Sequence, residues 1–126
     1  MDKQTIAQTQ TWLYPKAMDF TSKIMLFEGE TGFFGPGVRN LFLNIEEEHS
    51  VKGASEKMEL SYSKAWKMIR NVEKALGEPA VRRIHGGTDG GSAQLTEAGK
   101  ILLEKYIRVE RRSLEATRKI FEEEFS

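Results

Sequence analysis

The sequence predicts a mainly α-helical fold with small β elements, an α+β domain whose 126 residues suffice to bury a core without staples. Three observations carry that expectation. Apolar residues recur at spacings of three and four in four separate runs, the period of amphipathic helices. Serine, threonine, glycine and proline stand at the ends of those runs, where helices start and stop. Two pairs of short β-type segments, each joined through glycine, precede the first run and divide the third from the fourth.

Residues 1–17 come first and show little periodicity; Trp12, Leu13, Tyr14 and Met18 suit either a packed N-terminal arm or a loosely ordered tail. In "FTSKIMLFEGETGFFGPG", Ile24 to Phe27 lead into a glycine-containing turn and Phe33-Phe34 leave it, the pattern of a β-hairpin. Gly35-Pro36-Gly37 are then expected to break regular structure. Val38, Leu41, Phe42 and Ile45 give one apolar helical face ending near Glu48-His49. Ser50 is a good N-cap for a short second helix with Val51, Ala54 and Met58 inward, and Gly53, Ala54 and Ser55 keep its middle narrow. After a tight link at Glu59-Leu60, Ser61 caps a third helix whose buried stripe is Ala65, Ile69, Val72 and Leu76. Gly77 stops it, and Pro79 prevents it from resuming.

The other face of the third helix is basic. Ser63, Lys67, Arg70 and Lys74 recur at i, i+4, i+7 and i+11, with Lys64 and Asn71 beside them. "AVRRIH" and "SAQL" then predict two strands, with "GGTDGG" as the tip between them. Glycines accept positive φ and leave N–H groups unshielded, so such a tip can approach phosphates, with Arg82, Arg83 and His85 nearby. An ordinary solvated lysine face and a plain flexible turn stay open as alternatives. A nucleotide cradle fits poorly, because the loop has neither GxxxxGK[ST] nor GxGxxG spacing and Asp89 would repel phosphate. The order of parts is helix, short helix, tight turn, basic helix, basic strand, glycine loop, strand. That is the order of a winged helix-turn-helix, in which the third helix enters the DNA major groove and the hairpin meets the flanking backbone.

Formal net charge is zero, yet residues 50–85 carry eight Lys/Arg against four acids, a local excess of +4. Screening cuts off distant charges within about 10 Å, so the local excess matters more to a phosphate than the total. The absence of cysteine excludes disulfides and thiolate metal sites. His49 and His85 lie far apart with no ligand spacing, and no Ser/His/Asp set or paired-carboxylate pattern is present, so neither catalysis nor a cofactor is expected. Apolar stretches are too short for a membrane span and the N-terminus lacks a signal peptide's apolar core, which points to a cytoplasmic protein.

The last run begins at "LTEAG", with Thr96 as cap, and extends to about Phe125. Gly99, Leu102, Tyr106, Val109, Ser113, Ala116 and Ile120 form one row, with Leu103, Ile107, Leu114, Phe121 and Phe125 alongside. Roughly 30 residues at about 1.5 Å each make a rod near 45 Å, longer than one small domain covers. A homodimer is therefore expected, with Tyr106, Val109, Leu114, Ile120 and Phe121 at its interface. Folding back on the N-terminal arm is the other way to cover this helix. The expected organisation is an arm (1–17), a winged helix-turn-helix (18–95) and a dimerisation helix (96–126).

Residues 23–106 resemble the N-terminal DNA-binding domain of the molybdate-responsive ModE family of bacterial transcriptional regulators. The resemblance is carried by Ser50 through Ala54, "SYSKAW" (Ser61–Trp66), Gly86-Gly87 with Gly90-Gly91, and "LTEAG" (Leu95–Gly99). More distantly the segment is similar to LysR-type winged helices. It implies a dimer on a palindromic operator of double-stranded DNA. Ser50 and Lys52 would lie ahead of the turn, and Ser61, Tyr62, Ser63, Lys64 and Lys67, with Arg70 further along, at the major groove. Arg82, Arg83, His85, Gly86, Gly87 and Thr88 would lie along the backbone. Trp66 is expected in the core. Full-length members add an oxyanion-binding module, so the expectation is a single-domain form without molybdate. "VKGASEKM" departs from the family by placing Gly53 and Ser55 where alanine is more usual, the glycine lowering helix propensity by up to about 1 kcal/mol. A winged-helix interaction module without DNA binding is the alternative.

Overall fold

The computed structural model describes residues 14–84 and 91–126. The chain divides into two compact units: Lys23–Val109, and Met1–Ser22 with Glu110–Ser126.

In the larger unit, β1 (Leu26–Glu28) and β2 (Thr31–Phe34) pair antiparallel, turning through Gly29 at φ +59°. Helix α1 spans Pro36–Glu48. It starts two residues before the expected Val38, because proline at the first helical position gives up an N–H that has no partner there anyway. The expected break at Gly35-Pro36-Gly37 is thus a helix start. His49 closes α1 in the left-handed conformation, its N–H donating to Ile45 O at 2.8 Å. Helix α2 (Val51–Lys57) and helix α3 (Tyr62–Leu76) flank a turn with Glu59 at φ +57°. Gly77, at φ +75°, ends α3 as its sequence position suggests. Strands β3 (Val81–Ile84) and β4 (Ser92–Leu95) form the second antiparallel hairpin, with Val81 opposite Leu95 and Arg83 opposite Ala93. Helix α4 runs from Glu97 to Phe125 as a single element. Four helices and two small sheets among the described residues make the winged helix-turn-helix that the order of segments predicts.

The core joins Leu41, Phe42 and Ile45 of α1, Ala65, Ile69 and Val72 of α3, and Leu103 and Tyr106 of α4. At its centre the Phe34 ring lies edge-on to Phe42 at 5.4 Å and tilted against Tyr106 at 4.8 Å. Such aromatic pairs add about 0.5–1.5 kcal/mol each beyond area burial. The Tyr106 hydroxyl donates to Ile24 O at 2.7 Å, and the residue is 1% exposed. Tyr106 is therefore a core residue of one chain and not a surface available to a second copy. Within its row on α4, Tyr106 is covered by Phe34 of β2 and by the Ile24 backbone, whereas Val109 and Ile120 remain exposed.

In the smaller unit, residues 14–22 pack on the second half of α4. Asp19 Oδ1 accepts from Arg118 Nη1 at 2.8 Å and from Phe20 N at 2.8 Å. The Arg118 guanidinium lies 4.5 Å over the Phe20 ring, and Phe20 stacks on Phe121 at 5.0 Å. Tyr14 meets Phe125 edge-on at 5.2 Å. The same chain thus covers Phe121, which favours the fold-back alternative at this residue. Leu114 and Ile120 stay exposed, Ile120 by 57%. Residues 1–13 of the expected arm lie outside the described residues.

Candidate nucleic-acid interface

The backbone amides at two helix starts set the position of α3. Ser50 Oγ accepts from Gly53 N at 2.8 Å, and Ser61 Oγ accepts from Lys64 N at 3.1 Å. Gly53 belongs to the first cap. A Cβ at that position would sit 2.7 Å from Ser50 Oγ and 3.2 Å from Glu48 Cβ. Ser55 is buried and satisfies itself by donating to Lys52 O at 2.8 Å. Both departures from alanine in "VKGASEKM" are thereby accommodated locally. With Ala65, Trp66, Ile69 and Val72 turned into the core, Ser63, Lys64, Lys67, Arg70 and Lys74 are all exposed, as are Ser61 and Tyr62.

Among the described residues, the charges on this face have no ion-pair partner: Lys52, Lys64, Lys67, Arg70, Lys74 and Arg82 form none. Lys57 differs. Its Nζ lies 2.9 Å from Glu47 and 3.6 Å from Glu48, and the hydrogen bond it donates to Glu47 holds its pKa above the ordinary value. Glu47 and Glu48 are therefore engaged with Lys57 and not with the cations of α3.

The β3–β4 hairpin is fastened at its root. Glu73 Oε2 of α3 accepts from Ala80 N at 2.8 Å and Val81 N at 3.3 Å. Ala93 N donates to His49 O at 2.8 Å. Thr96 donates from its N–H to Ala80 O at 2.9 Å and from Oγ1 to Pro79 O at 2.8 Å, while Oγ1 accepts from Gly99 N at 3.1 Å. Strand alternation separates the two arginines. Arg82 lies opposite the exposed Gln94, whereas Arg83 lies opposite the buried Ala93 and places its guanidinium 4.5 Å over the Trp66 ring. Sequence reasoning treated the two alike. It also missed Glu73, whose only sequence signal is a carboxylate four residues before a helix-ending glycine. His85, Gly86, Gly87 and Thr88 lie outside the described residues. Among the described residues, no group of His, Asp and Glu side chains is placed to hold a metal ion, and no helix is long and apolar enough to cross a membrane.

Residues 40–100, from within α1 to the start of α4, match the model of the bacterial regulatory helix-turn-helix proteins of the lysR family. This segment is similar to the LysR-type helix-turn-helix. Curated relatives of this segment include two proteins named ModE. The molybdenum transport protein ModE of Azotobacter vinelandii is 38% identical over 66 residues, 52% of this chain and 24% of that protein. The transcriptional regulator ModE of Haemophilus influenzae is 30% identical over 79 residues, 63% of this chain and 31% of that protein. The matched part of the chain thus spans 24% to 31% of the length of these relatives. The DNA-binding domain of CbnR, solved as a DNA complex, superposes with a TM-score of 0.52 at 21% identity over 67% of this chain and 94% of that one, a likeness of fold.

Proposed function

We propose that this chain is a DNA-binding transcriptional regulator that works as a homodimer on a palindromic operator. Helix α3 enters the major groove with Ser61, Tyr62, Ser63, Lys64 and Lys67, and Arg70 follows along the groove wall. Ser50 and Lys52 at the start of α2 meet the backbone on one side, and Arg82 with the wing tip meets it on the other. The observation that carries this reading is the row of exposed cations on α3 that no carboxylate of the described residues neutralises. A duplex offers such a row the phosphates it lacks. The regulatory names of the helix-turn-helix family and of the Haemophilus influenzae relative support it. The dimer is proposed to form along α4 through Val109, Leu114 and Ile120, each exposed in one chain. Cytoplasmic location belongs to the same proposal.

The test is selection of bound fragments from the source genome at moderate salt, with sedimentation to give the oligomeric state. Enriched inverted repeats with half-site centres about 34 Å apart, or a multiple of it, are expected. No enrichment, together with a flat dependence of affinity on salt, would replace this reading by a winged-helix module that binds a protein.

A further inference from the structure

We propose that Arg83 is a positioning residue of the wing, holding β3–β4 against α3 through Trp66, and not one of the phosphate contacts; this deepens and rests on the DNA-binding reading. On β3, Val81 and Arg83 lie on the same face of the strand; Val81 is buried and Arg83 exposed, and their cross-strand partners Leu95 and Ala93 are both buried. At Val81 that face meets the core. One step further out, at Arg83, it meets the Trp66 ring at 4.5 Å. No carboxylate among the described residues pairs with Arg83.

The indole itself points the same way. Trp66 is 9% exposed, and its Nε1 has no hydrogen-bond partner among the described residues. A hydrogen bond therefore gives no reason for tryptophan here over phenylalanine. The ring surface does. Its face carries Arg83, and Tyr62 stands edge-on at 6.3 Å and 73°. Among aromatic rings, indole attracts a cation most strongly, and the flat guanidinium stacks where an ammonium cannot. The backbone bonds from Glu73 and Thr96 hold the root of the hairpin, whereas this stack reaches outward along β3 and sets how the wing leans relative to the basic face of α3.

The experiment uses the full chain with Trp12→Phe, which leaves Trp66 as the sole tryptophan. Arg83→Lys keeps the charge and loses the stack; Arg83→Ala loses both. In the free protein, both are expected to increase acrylamide quenching of Trp66 and to speed amide exchange in β3–β4. On a random-sequence DNA duplex both lower affinity roughly two- to fivefold with the log–log salt slope unchanged. Arg82→Ala, by contrast, reduces that slope by about 0.9. The proposal is overturned if Arg83→Lys binds as the parent does and Arg83→Ala loses about 0.9 in slope, the signature of a phosphate contact. Unchanged quenching and exchange in both variants also overturn it. A parent protein that ignores DNA sinks the DNA-binding reading alone, since quenching and exchange still decide whether Arg83 holds the hairpin.

Discussion

Gly99, in the first turn of α4, sits so close to Ala80 that a Cβ built on it runs into the Ala80 carbonyl oxygen and comes within 3.1 Å of the carbonyl carbon. The same oxygen accepts from Thr96 N, so it has no freedom to withdraw. The "LTEAG" segment is thus a fastening: Leu95 is buried, Thr96 caps the helix, and Gly99 lets the helix lie against the strand. Gly99→Ala is expected to destabilise the fold by about 1–3 kcal/mol, because backbone and not a flexible side chain must move. Urea unfolding measures it, and a change near zero would show that α4 can shift away.

Glu73 bridges α3 to the start of β3 by accepting from two amides. Glu73→Ala leaves both without this acceptor, at a cost of about 1–3 kcal/mol. Glu73→Gln retains an acceptor oxygen and is expected to lose less. Equal losses in the two variants, read from unfolding midpoints, would assign the effect to charge and not to the hydrogen bonds.

Ser50 and Ser61 have their oxygens committed to helix starts. Ser50→Ala and Ser61→Ala are each expected to lower stability by about 1 kcal/mol. Ser63, whose side chain is exposed on α3, provides the comparison: Ser63→Ala leaves the unfolding midpoint in place. A Ser61→Ala variant of unchanged stability would contradict the capping role.

The double variant Lys64→Ala, Lys67→Ala is expected to weaken operator binding by about 1–3 kcal/mol if these side chains read base edges. If they touch phosphates instead, all sequences weaken alike and the salt slope drops by about 0.9 per lost contact. Titration of a labelled duplex at several salt concentrations separates the two. Unchanged affinity in the double variant removes both lysines from the interface.

The hydrogen bond from Arg118 holds the Asp19 carboxyl below its ordinary value of 3.8, with Phe20 N–H adding to it. A depressed folded-state pKa stabilises above the ordinary value and loses that contribution as pH falls through the folded pKa. Packing of residues 14–22 on α4 is therefore expected to loosen only at pH below about 4. NMR titration of the Asp19 carboxyl should give a midpoint below 3.8, and Arg118→Gln should return it toward that value. A midpoint that Arg118→Gln leaves in place would remove the ion pair as its cause.

Much of the fold was legible because local chemistry dictates it. The apolar spacing in α1 and α3 places the core face, Ser50, Ser61 and Thr96 start helices, and Gly77 ends one. Each of these signals acts within about one turn of chain, so the sequence by itself determined the elements, their order and the basic face of α3. What lies between elements needed the tertiary structure. Periodicity placed Tyr106 in an apolar row, but only the packing of β2 and of the segment leading into β1 decides that it meets Phe34 and Ile24 within one chain. Composition counted Lys57 with the other cations, yet its approach to Glu47 neutralises it. "RR" reads as two equal charges until strand register turns Arg82 outward and Arg83 onto Trp66. Local spacing fixes which side of an element is apolar; through-space distance alone decides which charge is cancelled, and distance belongs to the folded chain.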